Sequence, residues 1–267
     1  MEDPGHDSVS RFDDRVTDYV RCRPTYPMQA IDHILDGLGP ADRLVAADVG
    51  AGTGISARLL GDRGVTVVAI EPGAAMRAAA ATHPHVRWIA AMAEASGLAP
   101  QAVNLVVSAQ SFHWFRPAAA LAEFARVLKP GGRLAIMWNR PSRTDRLTSG
   151  YGQAIVEVGG DVGAARMTFD AEDVERSGVF SPAVRTAFPN SQRFDFEGLV
   201  GRARSASYVP KSAEASARLR SLLHDLHERH ADQDGLVTML YETEVFVAHV
   251  LDAAPSQAGR AVSPLSL

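Results

Sequence analysis

An apolar run, Leu44–Val49, flows directly into Gly50-Ala51-Gly52-Thr53-Gly54 and then into a helical stretch, Ile55–Gly61. Three glycines at alternate positions remove Cβ atoms where the backbone must turn sharply. The helix behind them directs its N–H groups and positive dipole end at the same space. A strand, a glycine turn and a helix in that order predict the first unit of an open α/β sheet. Ligands of such sheets bind beyond the C-terminal ends of the strands, where this loop lies.

The alternation continues downstream. Thr66–Ile70, Val86–Ala90, Val103–Ser108 and Arg133–Trp138 read as short buried parallel strands. Ala74–Thr82 and Ala118–Leu128 read as helices between them, the second closed by Lys129-Pro130-Gly131-Gly132. Upstream, Met28–Leu38 has Ile31, Ile34, Leu35 and Leu38 on one helical face. After Asn139 the rhythm is less regular. Residues 141–190 read as mixed helix and loop, Gln192–Phe196 as a sixth strand, Ala213–His230 as a helix and Leu236–Val250 as strand-rich. The predicted fold class is α/β: a doubly wound sheet, mostly parallel with an antiparallel edge pair, helices on both faces, and an N-terminal and inserted helical cap. The expected organisation is a core at 12–140, a helical cap and acceptor region at 141–190, and C-terminal strands and helix at 191–252. Residues 1–11 and 253–267 are expected to be disordered.

Spacing narrows the ligand. The dinucleotide fingerprint G-x-G-x-x-G would need Gly or Ala at position 55, where Ile55 stands. The triphosphate loop needs a G-K-[ST] ending, which is absent. Glu71 ends the second strand, and an acid there can accept hydrogen bonds from both hydroxyls of a ribose; the alternative is a surface acid. Pro72 and Gly73 then turn the chain, and Met76 could lie on an adenine face or simply fill core.

Composition excludes several classes. The net charge of −4 offers no field for nucleic acid or anionic lipid. The single cysteine, Cys22, allows no internal disulfide and fits a cytoplasmic setting. Neither a signal peptide nor a bilayer-spanning run is expected. His224, His227 and His230 lie among Asp225, Glu228 and Arg229, the mix of a solvated face, so no metal site is expected. Arg140, Arg143 and Arg146 read as a solvated edge.

The motif order resembles a known family. D-V-G-A-G-T-G (48–54), V-A-I-E-P-G-A-A-M (68–76), A-M-A-E-A (91–95), A-Q-S-F-H-W-F (109–115) and R-V-L-K-P-G-G (126–132) look like class I S-adenosylmethionine (SAM)-dependent methyltransferases. The branch is that of methyltransferase domain type 11 and the trans-aconitate methyltransferase kind. The opening Phe12…Tyr19…Arg23-Pro24-x-Tyr26-Pro27 resembles the same branch. The resemblance implies a Rossmann-like core with SAM as cofactor, S-adenosylhomocysteine as product and a small-molecule methyl acceptor. It implies that Asp48 orients the loop and the SAM amino group through Gly50, and that Gly50, Ala51, Gly52, Thr53 and Gly54 flank the methionine part and ribose. Glu71 with Pro72 and Met76 would hold the ribose and adenine side, and Ala93 and Glu94 would line the adenine, through the backbone N–H of Ala93. Two departures stand out: Met92 replaces an acid common before that pair, and Asn104 replaces an aspartate at the fourth strand.

The segment Gln110–Phe115 would face the sulfonium and methyl group. His113 is the candidate base there, the alternative being a histidine that shapes the pocket. Trp114 and Phe115 read as walls. Tyr19, Arg23 and Tyr26 would close over the site from the N-terminal cap, and Asn139 would border the acceptor. Two other functions remain open on sequence alone: a SAM-binding protein without methyl transfer, and an NAD-type oxidoreductase. Oligomeric state is unreadable.

Overall fold

The computed structural model describes residues 22–160, 169–205 and 212–251. Its centre is a seven-stranded sheet in the order β3-β2-β1-β4-β5-β7-β6. The strands are β1 (Val45–Val49), β2 (Thr66–Ile70), β3 (Val86–Ile89), β4 (Val103–Ala109), β5 (Leu128–Pro141), β6 (Val184–Phe194) and β7 (Val237–His249). Strands β1 to β5 are parallel, and β7 runs antiparallel to both β5 and β6. The predicted antiparallel edge pair is therefore β7 with β6.

Side chains of the parallel strands alternate between two covered faces. On one, Ala46, Leu105, Val107, Ala135 and Met137 pack against α1 (Met28–Leu35) and α2 (Ile55–Gly61). On the other, Ala47, Val106, Leu134 and Ile136 meet Leu121, Phe124 and Val127 of α4 (Pro117–Val127) and Val174 of α6 (Ala171–Arg176). Burial on both faces explains why these strands read as unbroken apolar runs. Between β2 and β3 lies α3 (Ala74–Ala78), which stops short of the predicted Thr82. Only Met76 of that run is buried, so packing sustains no further turn. Asn104 braces the sheet, since its Oδ1 accepts from Val45 N at 3.0 Å and from Lys129 Nζ at 3.1 Å.

A third cluster joins α5 (Arg146–Gly159), α7 (Phe196–Arg204) and α8 (Ala213–His230) to Val237, Met239 and Tyr241 of β7. Each of these helices starts on a side-chain cap: Asp145 on Thr148 N, Asp195 on Gly198 N and Ser212 on Ala215 N. Strand β5 ends at Pro141 opposite Tyr241, but β7 and β6 stay paired as far as Val237↔Phe194. The antiparallel β6–β7 pair thus overhangs the carboxyl end of β5, with α7 and α8 in the connection between its two strands.

Strand β6 begins at Val184, inside the stretch expected to be helix and loop, and ends at Phe194. It lies on the sheet edge and carries Arg185, Pro189, Asn190, Gln192 and Arg193, so it presents no apolar run. Among the described residues no helix is long and apolar enough to cross a membrane. Phe12, Tyr19 and both expected disordered ends (1–11 and 253–267) lie outside the described residues.

Candidate functional site

The loop after β1 runs through three left-handed glycines, with φ of 67° at Gly50, 57° at Gly52 and 75° at Gly54. Two of these positions also lack room for a side chain. A Cβ on Gly50 would lie 2.6 Å from Ser111 Cβ, and one on Gly54 would lie 2.9 Å from Trp88 Cζ2. The loop is pinned to the next strand, because Gly50 N and Ala51 N both donate to Ile70 O, at 2.9 and 3.1 Å.

Glu71 faces this loop. Its Oε2 accepts from Gly52 N at 2.9 Å and its Oε1 from Gly73 N at 2.8 Å. One carboxylate therefore bridges the turns after β1 and β2. Burial pushes its pKa above the ordinary glutamate range, against the two backbone N–H bonds. Pro72 O accepts from Arg77 Nη1 at 2.8 Å, and Met76 is buried beside Gly73.

Asp48 is fully buried. Its Oδ2 accepts from Ser56 Oγ at 2.7 Å, while Oδ1 has no hydrogen-bond partner among the described residues. Burial is the main reason its pKa is raised from 3.8 to about 7, with the Glu71 charge adding to it. Between those values the folded protein holds a proton that the unfolded chain has released. The stability this group contributes is full below about pH 4 and is lost as pH rises through about 7. Asp48→Asn abolishes that titration. Melting temperatures of the ligand-free protein should therefore favour the variant, relative to wild type, more at pH 8 than at pH 5. An equal difference at both pH values contradicts this titration.

The third wall comes from the segment after β4. Gln110 adopts φ 57° and its Oε1 is buried without a partner among the described residues. Ser111 Oγ donates to Val49 O at 2.9 Å and so fixes the segment behind Gly50. His113 lies 4.5 Å from the Trp114 ring and 5.5 Å from the Trp138 ring. Both of its ring nitrogens are buried without partners among the described residues. Burial, aided by the nearby Arg23 charge, lowers its pKa to about 4, so the ring is neutral at physiological pH. Thr53 Oγ1 is also buried and unpartnered among the described residues.

A fourth wall is the turn after β3. Met92 and Ala95 form an antiparallel bridge that places Ala93 and Glu94 at its tip. Ala93 packs in one cluster with Val49 and Ile70, the last residues of β1 and β2. The Glu94 carboxylate takes a different course from the expected lining role, since its Oε1 accepts from Arg116 N at 2.8 Å.

The structure thus brings Asp48, Gly50–Gly54, Glu71, Met76, Ala93, Gln110, His113 and Trp114 to the carboxyl ends of β1, β2 and β4. Two residues expected at the acceptor side are engaged within the protein. The Tyr26 ring is buried in the core that includes α1. The Asn139 amide is engaged within the protein: Nδ2 donates to Thr25 O at 3.1 Å, and Oδ1 accepts from Thr243 Oγ1 and from Asn190 Nδ2. Asn190 Nδ2 also reaches Thr25 O at 2.8 Å, and Gln192 Nε2 reaches Cys22 O at 3.3 Å. Asn139 therefore ties the 22–27 strap to the overhanging β6–β7 pair. Arg23 lies on that strap with Nη2 3.4 Å from Ser205 O. Sequence reasoning missed Ser111, whose only signal was its place one residue beyond Gln110. It also missed the side chains that hold the Met92–Ala95 turn.

Residues 47–136 match the family described as Methyltransferase domain. An uncharacterized methyltransferase of Mycobacterium tuberculosis is 42% identical over 137 residues, covering 51% of this chain and 54% of its own length. The chain spans about half the length of the curated relatives it matches. Among solved structures, a methyltransferase from Anabaena variabilis superposes with a TM-score of 0.62 at 20% identity, over 85% of this chain and 98% of the other. Phosphoethanolamine N-methyltransferase 2 of Haemonchus contortus, solved with phosphomonomethylethanolamine and S-adenosylhomocysteine, superposes with a TM-score of 0.55 at 17% identity, over 94% of this chain and 61% of the other. Residues 47–136 are thus similar in sequence to the methyltransferase-domain family, and the fold is that of the solved Rossmann-like methyltransferases.

Proposed function

We propose that the chain is a methyltransferase that binds SAM on this cradle and methylates a small molecule. One observation carries the reading. Asp48 Oδ1, Thr53 Oγ1, Gln110 Oε1 and both nitrogens of His113 lie buried without hydrogen bonds among the described residues. A buried polar atom left unpaired costs about 1–3 kcal/mol. Atoms of this kind at the carboxyl end of β1 and on the loops beyond β1 and β4 suit a polar ligand carrying positive charge, as the ammonium and sulfonium of SAM do.

Bound SAM supplies an electrophilic methyl group on a sulfonium. Asp48, buried and next to Glu71, gives the loop a negative potential in its ionised form, and a bound cation favours that form. Glu71 presents a carboxylate, already held by two backbone N–H groups, to the ribose hydroxyls. Trp114, Trp138 and Phe112 exclude water on the His113 side. Attack in line on the methyl carbon needs alignment above all, and for a protonated acceptor somewhere for the proton to go. Neutral His113 takes that proton. The acceptor's chemical class and a cytoplasmic setting belong to the same reading; the solved N-methyltransferase with a small phosphorylated amine offers one precedent for the size of acceptor.

Transfer of label from methyl-labelled SAM to a member of a small-molecule acceptor set tests the proposal. SAM binding with no transfer to any acceptor favours a SAM-binding protein instead. With an acceptor in hand, His113→Gln should lower kcat about a hundredfold with little change in SAM affinity. In wild type, kcat should rise through about pH 4 and stay flat through neutrality. A variant within about threefold of wild type leaves His113 a pocket-shaping residue only.

A further inference from the structure

The Met92–Ala95 turn is fastened to α4 at three points along that helix. Near the start, Glu94 Oε1 accepts from Arg116 N at 2.8 Å. In the middle, Glu123 Oε1 accepts from both Ser96 N, at 2.9 Å, and Ser96 Oγ. At the end, Arg126 Nη2 donates to Leu98 O at 2.8 Å, while Nε and Nη2 pair with Glu123 at 2.7 Å each. Ser96 is 2% exposed and Glu123 9% exposed, so the central fastening is sealed from water. Burial alone would raise the Glu123 carboxyl, but the Arg126 and Ser96 hydrogen bonds outweigh it and hold it below the ordinary glutamate range. Hydrogen bonds shared in this way hold the turn against the helix, with the Arg126 side chain 40% exposed at the rim.

The turn it holds is also the one that closes the cradle. Ala93 packs against the last residues of β1 and β2, and the chain just beyond it is fixed at Glu94 and again at Ser96. Residues 90–95 leave β3 at Ile89 and reach Gly97, at φ 76°, without entering another helix or strand, so α4 supplies their fastening on the C-terminal side. We propose that Glu123 is a positioning residue for base recognition: through Ser96 it sets the height of the Met92–Ala95 turn, and so the alignment of the Ala93 backbone with the adenine edge of the cofactor. Glu123 touches no ligand itself. The proposal rests on the SAM reading above.

The test compares binding of S-adenosylhomocysteine and its hypoxanthine counterpart, S-inosylhomocysteine, by calorimetry. Wild type should prefer the adenine compound by about tenfold or more. Glu123→Ala should weaken S-adenosylhomocysteine about tenfold and shrink the preference to within about threefold. Ser96→Ala, a milder change that keeps the backbone bond, should move the preference in the same direction. Glu123→Gln keeps an acceptor for Ser96 and should recover most of it. Glu71→Gln should weaken both compounds with the preference intact. A folded Glu123→Ala or Ser96→Ala protein with the wild-type preference overturns the proposal, as does a wild type that binds without any preference. If wild type binds neither compound, the cofactor reading fails and the proposal falls with it.

Discussion

Glu71→Ala is expected to weaken S-adenosylhomocysteine binding about a hundredfold, the product of two charge-assisted hydrogen bonds at roughly 1.5 kcal/mol each or more. Its two oxygens already receive Gly52 N and Gly73 N, at 2.9 and 2.8 Å, and each oxygen keeps a further lone pair for a ribose hydroxyl. Truncation removes the ribose partner and also unfastens the loop after β1 from the turn after β2. Glu71→Gln retains one acceptor and should lose only about tenfold. Calorimetry reads both affinities, and a thermal melt on each variant separates lost binding from lost fold. A Glu71→Ala affinity within about twofold of wild type would mean that the carboxylate only braces the loop.

Gly50→Ala is expected to cost about 2–5 kcal/mol of stability, combining left-handed strain of roughly 1–2 kcal/mol with overpacking of 1–3 kcal/mol. The Cβ would meet Ser111 Cβ at 2.6 Å and Ser111 Oγ at 2.8 Å, on the residue whose hydroxyl bonds Val49 O. Relief requires the segment carrying Gln110 and His113 to move, so cofactor binding should fall with stability. Gly64→Ala is the control. That glycine has φ 86° but nothing within 4 Å of its Cβ position, so only the strain of about 1 kcal/mol remains. Urea titration of the two variants gives the difference directly. Equal losses at both sites would contradict the close contact between the loop and Ser111.

The parts of this molecule legible in the sequence are those where one physical demand overrides the rest. Strands β1, β2 and β4 are buried on both faces and so spell themselves as apolar runs. Gly50, Gly52 and Gly54 take up a backbone shape other residues avoid, and Glu71 ends the neighbouring strand because the loop needs an acceptor there. Strand β6 escaped because an edge strand tolerates polar residues and a proline along most of its length. The packing of Tyr26 and the hydrogen bonds of Asn139 escaped for another reason. Tyr26 is core, and Asn139 bonds Thr25, 114 residues away. Glu123 read as an ordinary helix acid, since nothing in α4 announces that Ser96, 27 residues earlier, will lie against it. Local pattern reveals what local chemistry demands; partners brought together by the sheet order become visible only in three dimensions.

The proposal puts an adenosyl sulfonium rather than a dinucleotide on the loop at 50–54, with Glu71 across it. Titration of the full chain with SAM, S-adenosylhomocysteine and NAD tests this most directly. Saturable one-to-one binding of the first two is expected, with none of NAD at millimolar concentration. Binding of NAD without SAM, or no binding of any of the three, would contradict it.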